Sequence, residues 1–293
     1  MKSGYVALIG RPNVGKSTLL NHLLGQKISI TSRRPQTTRH RIHGIKTTDQ
    51  GQMIFVDTPG LHINQKRAMN RYLNKTAGSA LQDVDVIVWL VDGVDFTEED
   101  HMVLERIQTA GLPVILAINK IDRIEDKDAL LPFLDKAQKA YAFEALIPVS
   151  ALRGHNLSEL EEKILSLLPE GELIFPEDQV TDRSIRFMVA EIVREKLLRA
   201  LGQEVPHAIS VEIEQFKTEE GLVRIDALIW VERQGQKAIV IGRKGEVLKK
   251  VGERARLDME KLLESKVFLK LWVKVKEGWS DDERALRSLG YGP

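Results

Sequence analysis

The densest chemistry in the chain lies near its start, where Gly10-Arg11-Pro12-Asn13-Val14-Gly15-Lys16-Ser17 follows the apolar run Val6 to Ile9 and precedes the helical run Thr18 to Leu24. The spacing is G-x-x-x-x-G-K-[ST], set between a predicted strand and a predicted helix. A loop of this composition suits phosphate. Its glycines let backbone N–H groups of residues 10–18 wrap the oxygens, Lys16 can reach the β- and γ-phosphates, and the Ser17 hydroxyl can ligate Mg²⁺.

Four further segments extend that chemistry. Asp57-Thr58-Pro59-Gly60 follows the run Met53 to Val56, so Asp57 should emerge at a strand end beside the phosphate loop, hold the Mg²⁺ shell, and leave the Gly60 N–H to sense a γ-phosphate. Asn119-Lys120-Ile121-Asp122 follows the run Val114 to Ile118. A carboxylate there, Asp122, can accept from both N1–H and the 2-amino group of guanine, whereas adenine would leave it unpaired. Ser150-Ala151, after Leu146 to Val149, would supply a backbone donor to the guanine O6. Thr37-Thr38 sits in a polar, basic loop, Thr31 to His43. A loop threonine that completes the Mg²⁺ shell only when a γ-phosphate is present would make this loop respond to the nucleotide, and Thr38 is the expected one.

The hydrolytic residues are less conventional. Leu61 stands after Gly60, where a glutamine in many GTPases orients the attacking water. Water must then be positioned by backbone groups, a monovalent cation or a partner, and slow unaided hydrolysis is expected. Asn13 reads either as a ligand for such a cation, K⁺, or as a turn-forming residue. No residue declares itself a general base, so the expected catalytic set is Lys16, Thr38 and Gly60.

A second chemistry appears late in the chain. Gly242-Arg243-Lys244-Gly245 lies between the strand-like run Ala238 to Ile241 and a helix with an apolar stripe at Leu248, Val251, Ala255, Met259 and Leu262. A G-x-x-G turn with two cations at its tip is how KH modules clamp a short single-stranded backbone. Residues 233–276 hold 13 Lys+Arg and 5 Asp+Glu, a local balance of 13 − 5 = +8, which fits a phosphate-contacting surface. Ile241, Lys249 and Lys250 join Gly242 to Gly245 as expected RNA contacts. No row of stacking aromatics is evident in this module, so phosphate contacts, apolar grooves and base-edge hydrogen bonds should carry affinity.

Positioning these segments calls for two kinds of scaffold. The first half alternates short β-branched runs with amphipathic stretches, the pattern of a mostly parallel sheet with helices on both faces. Arg41 to Thr47 and Gln52 to Asp57 read as a grafted antiparallel hairpin. Residues 168–182 hold two prolines, a glycine and five acids, the signature of a linker. Beyond it the order reads helix from Ile185 to about Leu201, strands near Ala208 to Glu214 and Leu222 to Val231, a helix after Gly245, and a strand from Val267 to Val275. The expectation is an α/β P-loop domain over 1–168, a linker over 169–182, an α+β KH domain over 183–276 and a tail over 277–293.

Composition excludes several alternatives. The 293 residues carry 43 Lys+Arg against 42 Asp+Glu, 43% hydrophobic residues and no cysteine, so disulfides, thiolate metal sites and a Cys nucleophile are ruled out. The longest apolar run, Val86 to Val91, is far short of the ~20 residues that cross a bilayer. The short apolar start lacks a signal-peptide cleavage site, and a cytoplasmic protein is expected.

With both halves read, the sequence resembles the Era family of bacterial GTPases, which join a Ras-like domain to a type II KH domain within the TrmE-Era-EngA-like superfamily. The resemblance is carried by Gly10 to Ser17, Gln36-Thr37-Thr38-Arg39-His40, Asp57 to His62, Asn119 to Asp122, Ser150-Ala151, Gly242 to Gly245 and the tail Trp279 to Tyr291. It implies GTP and Mg²⁺ as cofactors, the switch role for Thr38, a hydrophobic residue at Leu61 as a family trait, and assembly of the small ribosomal subunit through the 3′ end of 16S ribosomal RNA. It also implies peripheral association with the inner membrane, although no amphipathic segment that would insert is apparent. Two rival readings remain at this level: a membrane-associated signalling GTPase with a protein partner, and a passive RNA-binding protein with a structural nucleotide site.

Overall fold

The computed structural model describes residues 1–32, 34, 36–60, 68–79, 81–124, 127–201 and 209–291. The chain divides into two compact units, Met1–Thr31, Thr38–Gln65 and Leu73–Asp182 in the first and Ser32–Thr37, Lys66–Tyr72 and Arg183–Pro293 in the second.

The first half of the chain contributes strands β1 (Lys2–Ile9), β2 (Ile42–Thr48), β3 (Gly51–Asp57), β4 (Val86–Asp92), β5 (Val114–Asn119) and β6 (Ala145–Pro148). Its helices are α1 (Lys16–Leu24), α2 (Ala68–Ser79), α3 (Glu98–Ala110), α4 (Leu130–Ala140) and α5 (Leu157–Leu167). The sheet order is β2-β3-β1-β4-β5-β6. All neighbours are parallel except β2 with β3, which pair antiparallel from Ile42 opposite Asp57 to Thr48 opposite Gly51. The grafted hairpin is therefore present, and the fold is the expected P-loop α/β class.

Periodicity explains the layers. Ala7, Ile9, Trp89, Leu116 and Ile118 face one side with Val103 and Ile107 of α3 and Phe133 of α4, all buried; helices α1 and α5 contact β1, β2, β3 and β6 without joining that cluster. Both faces of the sheet are thus covered, which is why its strands read as continuous apolar runs. Trp89 stacks on Phe96 with ring centroids 5.3 Å apart, and Phe133 meets Phe96 edge-on at 5.0 Å. Parallel strands all point their C-terminal ends the same way, so Ile9, Asp57, Asp92, Asn119 and Pro148 end along one edge.

Residues 169–182 are bonded to this unit. The Ser3 N–H donates to the Pro169 carbonyl at 3.0 Å, the Ile45 N–H to the Val180 carbonyl at 2.8 Å, and the Gln52 side chain bonds Ile174 and Phe175.

The second unit carries α6 (Ile185–Ala200), β7 (Ser210–Glu219), β8 (Leu222–Val231), α7 (Gln234–Ile241), α8 (Glu246–Leu263), β9 (Lys266–Val275) and α9 (Glu283–Ser288). Its sheet runs β7-β8-β9, the first pair antiparallel and the second parallel. Val189 and Val193 of α6, Val251, Ala255 and Met259 of α8, and Ile225, Ala227 and Ile229 of β8 form its core.

One expectation fails here. Ala238 to Ile241 is not a strand but the last turn of α7. Two β-branched isoleucines and a valine read as strand locally, yet tertiary packing overrides that preference. Val240 alone of the four is fully buried, and the Gln236 side-chain Oε1 accepts the Glu232 and Arg233 N–H groups at 2.9 and 3.0 Å, closing the helix start. The tail is ordered by burial of Trp279, whose ring stacks on Tyr291 at 6.1 Å; the Tyr291 hydroxyl lies 3.1 Å from Ser210 Oγ.

Candidate functional site

The loop from Gly10 to Gly15 leaves β1 and turns into α1 at Lys16. Lys16 is buried, and its ammonium donates to the Gly10 and Arg11 carbonyls at 2.9 and 3.0 Å, folded back over the loop it belongs to. Burial lowers its pKa to about 8, against the opposing pull of Asp57. A buried cation in a ring of backbone dipoles is a site built for an anion.

Three oxygens converge next to it. Ser17 Oγ lies 2.8 Å from Asp57 Oδ2 and 2.9 Å from Thr38 Oγ1. Thr37 points elsewhere, its hydroxyl donating to the Arg34 carbonyl at 2.6 Å. Asp57 is fully buried, and burial pushes its carboxyl pKa up, while Lys16 and the hydroxyls of Ser17 and Ser29 pull it down. Its Oδ1 is buried with no hydrogen-bond partner among the described residues. An orphaned buried carboxylate oxygen beside two hydroxyls is a donor set that fits a hard cation such as Mg²⁺, which prefers oxygen ligands and few carboxylates. Gly60 closes this region. A side chain on Gly60 would meet the Pro12 nitrogen at 2.7 Å and Cα at 2.9 Å, so the Asp57–Gly60 turn can approach the phosphate loop only as glycine.

The segment Asn119 to Asp122 divides its labour. Asn119 is buried and donates from Nδ2 to the Val14 carbonyl at 2.7 Å, while its Oδ1 accepts the Ala151 N–H at 2.9 Å. It is a brace between two loops, and the Ala151 N–H, expected to serve guanine O6, is held by it. Lys120 adopts a left-handed backbone (φ 66°), donates to the Asn13 carbonyl at 2.8 Å and pairs with Asp92. Asp122 is accessible and accepts from Ser150 Oγ at 2.6 Å, which holds its carboxyl below the ordinary range and therefore ionised at neutral pH.

Three participants escaped the sequence reading. Ser29 donates to Asp57 Oδ2 at 2.8 Å. Asp92, at the end of β4, pairs with both Arg11 and Lys120, and Asp100, at the start of α3, lies 3.3 Å from Arg11 Nε. The strand-end position of Asp92 was a usable signal; Ser29 and Asp100 carried none. Leu61 and the adjoining residues through 67 lie outside the described residues.

In the second unit, Gly242 (φ 74°) ends α7, residues 243–245 form one tight turn, and α8 begins at Glu246. A Cβ on Gly242 would meet Val247 Cγ2 at 2.4 Å. Arg243, Lys244, Lys249 and Lys250 are exposed, whereas Ile241 is half-buried. The G-x-x-G turn thus joins two helices and presents its cations outward.

The expectation of no aromatic row is also overturned. Phe268 and Trp272 are 42% and 41% exposed on β9, and Trp230 is partly exposed on β8. Alternation hid them, because Val267, Leu269, Leu271, Val273 and Val275 between them face the core.

Comparison with known proteins places these features together elsewhere. Residues 5–120 match the family model described as a 50S ribosome-binding GTPase, and residues 204–280 match the KH domain model. GTPase Era of Pseudomonas syringae pv. syringae is 61% identical over 291 residues, covering 99% of this chain and 97% of the relative. GTPase Era of Pseudomonas aeruginosa is 60% identical over the same span, covering 95% of the relative. Two solved structures match at TM-score 0.97 and 42% identity with both chains fully covered. They are a variant of Aquifex aeolicus Era bound to GDP·AlF4⁻, and Era in complex with MgGDPNP and nucleotides 1506–1542 of 16S ribosomal RNA.

Proposed function

This chain belongs to the Era family of GTPases, and we propose that it is a GTP-hydrolysing switch that binds the 3′ end of 16S ribosomal RNA and acts in assembly of the small ribosomal subunit. The observation that carries this reading is the meeting of the phosphate loop, Ser17, Thr38, Asp57 and the Asp122–Ser150 pair along one sheet edge, in a chain that also holds a cationic G-x-x-G turn. The full-length likeness to an RNA- and MgGDPNP-bound Era supports it further.

In this reading the backbone of residues 10–18 holds the phosphates and Lys16 turns from its own carbonyls to the β- and γ-oxygens. Ser17, Thr38 and Asp57 would hold Mg²⁺, which supplies positive charge against the phosphate oxygens. The Gly60 N–H meets the γ-phosphate, with Thr58 and Pro59 alongside. Asp122 selects guanine, with Asn119, Lys120, Ser150 and Ala151 shaping its pocket. A leucine at position 61 has no group that could orient water as a glutamine does, so unaided hydrolysis is slow, and Asn13 would hold a K⁺ that supplies positive charge there. Arg243, Lys244, Lys249 and Lys250 meet RNA phosphates around Gly242 and Gly245, with Ile241 lining the groove.

The G domain occupies 1–168, the linker 169–182, the KH domain 183–276 and the tail 277–293. Among the described residues no helix is long and apolar enough to cross a membrane, and any association with the inner membrane is peripheral to a cytoplasmic monomer. GTP raises RNA affinity, and by linkage RNA raises GTP affinity by the same factor. The test measures binding of a fluorescent single strand copying the 16S 3′ end, against a scrambled control, with GDP and with a non-hydrolysable GTP analogue. Tighter, sequence-dependent binding with the analogue is expected; equal binding to both strands in both states would refute the reading.

A further inference from the structure

We infer that the outward face of the β8–β9 pair is a second nucleic-acid surface, separate from the G-x-x-G turn, that stacks unpaired RNA bases. It rests on the RNA-binding reading above and adds a contact face to it. Along β9 the outward residues Lys266, Phe268, Lys270, Trp272 and Lys274 alternate cation and aromatic without an acid. Such a strand side is costly to leave in water, since Phe268 and Trp272 keep over two-fifths of their surface exposed when the inward residues are buried.

The geometry suits nucleotides. Phe268 and Trp272 are four residues apart on one strand, about 13 Å at 3.3 Å per residue, too far to share one base, so each ring can take its own. Lys270 Nζ lies between them, 5.9 Å from the Phe268 centroid and 5.7 Å from the Trp272 centroid, where the phosphate joining two stacked nucleotides would meet it. Trp230, beside Lys274 in register, has the ammonium groups of Lys274 and Lys276 at 6.0 and 5.9 Å from its ring. Aromatic rings interleaved with cations are the recurring platform for single strands, because every base has a π-face and every linkage a charge. A duplex would offer the rings nothing to stack on.

The same chemistry could meet an anionic lipid surface, and the acids decide against it. Asp226 sits beside Lys270 in register, and Glu212 accepts from Trp230 Nε1 at 3.0 Å. Glu214 reaches Lys274 at 3.5 Å as well, so headgroups spread over the whole face would be pressed onto three carboxylates, whereas a single strand need follow only β9, whose own outward side carries no acid.

The experiment uses the full chain with two face variants, Phe268→Ser with Trp272→Ser and Lys270→Glu with Lys274→Glu, and a turn variant, Arg243→Asp with Lys244→Asp. Binding of a fluorescent 16S 3′-end single strand long enough to extend beyond the four nucleotides of a KH groove is measured by anisotropy. Unfolding temperature reports the fold. Each face variant should weaken binding about tenfold or more, the size of one lost stacking or phosphate contact, and the turn variant should keep residual binding that quenches tryptophan emission. Unchanged affinity in both face variants, with binding abolished in the turn variant, would overturn the second surface and leave the RNA reading intact. Loss of sedimentation with phosphatidylglycerol vesicles, without loss of RNA binding, would reassign the face to lipid and overturn the proposal. A wild-type chain that binds no RNA would sink both readings together.

Discussion

Asn119 and Asp122 stand three residues apart in one motif, and the structure assigns them opposite kinds of work. Asn119→Ala removes two buried hydrogen bonds, 2.7 Å to the Val14 carbonyl and 2.9 Å from the Ala151 N–H, and strands both backbone groups away from water. At about 1–3 kcal/mol for each unsatisfied group, the fold should lose ~2–6 kcal/mol, which for a domain of this size lowers the unfolding temperature by about 4–24 °C. Asp122→Asn leaves the fold alone. Its side chain is accessible, and the amide oxygen can still accept from Ser150 Oγ, 2.6 Å away in the parent chain. In the proposed guanine contact it should lose two charge-assisted bonds, at about 1.5–3 kcal/mol each, or roughly 10²–10⁴-fold in GTP affinity. What it gains is a donor for the xanthine carbonyl. The assay is thermal unfolding by circular dichroism with and without saturating GDP, beside titrations of GTP and XTP. A bracing role for Asn119 is refuted if Asn119→Ala melts within about 2 °C of the parent chain in both conditions, or if Asp122→Asn melts as low as Asn119→Ala.

Three other outcomes follow from the same geometry. Burial lowers Lys16 to about pKa 8, and bound phosphate favours its charged form, so nucleotide binding should take up a proton above pH 8 and weaken as pH rises through that value; calorimetry in buffers of different ionisation enthalpy measures the uptake, and none at pH 8.5 would contradict it. Thr38→Ala should cut affinity for a non-hydrolysable GTP analogue about tenfold while GDP affinity stays within threefold, because Thr38 Oγ1 faces Ser17 while its neighbour Thr37 bonds the Arg34 carbonyl; an equal loss for both nucleotides in a titration would show a merely structural role. Gly60→Ala places a methyl 2.7 Å from the Pro12 nitrogen and should slow single-turnover hydrolysis more than tenfold, a result overturned by parent-like rates.

The two motif classes were legible because each fixes a spacing that backbone chemistry demands. A phosphate loop needs its glycines, lysine and hydroxyl within eight consecutive residues, and parallel strands must bring their ends, and so Asp57, Asp122 and Ser150, to one edge. The helix and strand pattern was legible for the same local reason, apart from α7, where Val240 is drawn into a core no local window contains.

What the sequence alone determined about this chain is which residue types stand at its strand ends and the two-part architecture, since both rest on residue types at short separations. Only the tertiary structure decided that Ser29 and Lys16 both attend Asp57, that Asp92 ties Arg11 to Lys120, and that Asn119 braces rather than reads. Those pairings join residues 28 to 105 positions apart, and a separation of that size leaves no periodic trace. Tertiary structure likewise sorted the β9 aromatics from its aliphatic residues, because which side of a strand faces water is settled by the helices packed on the other.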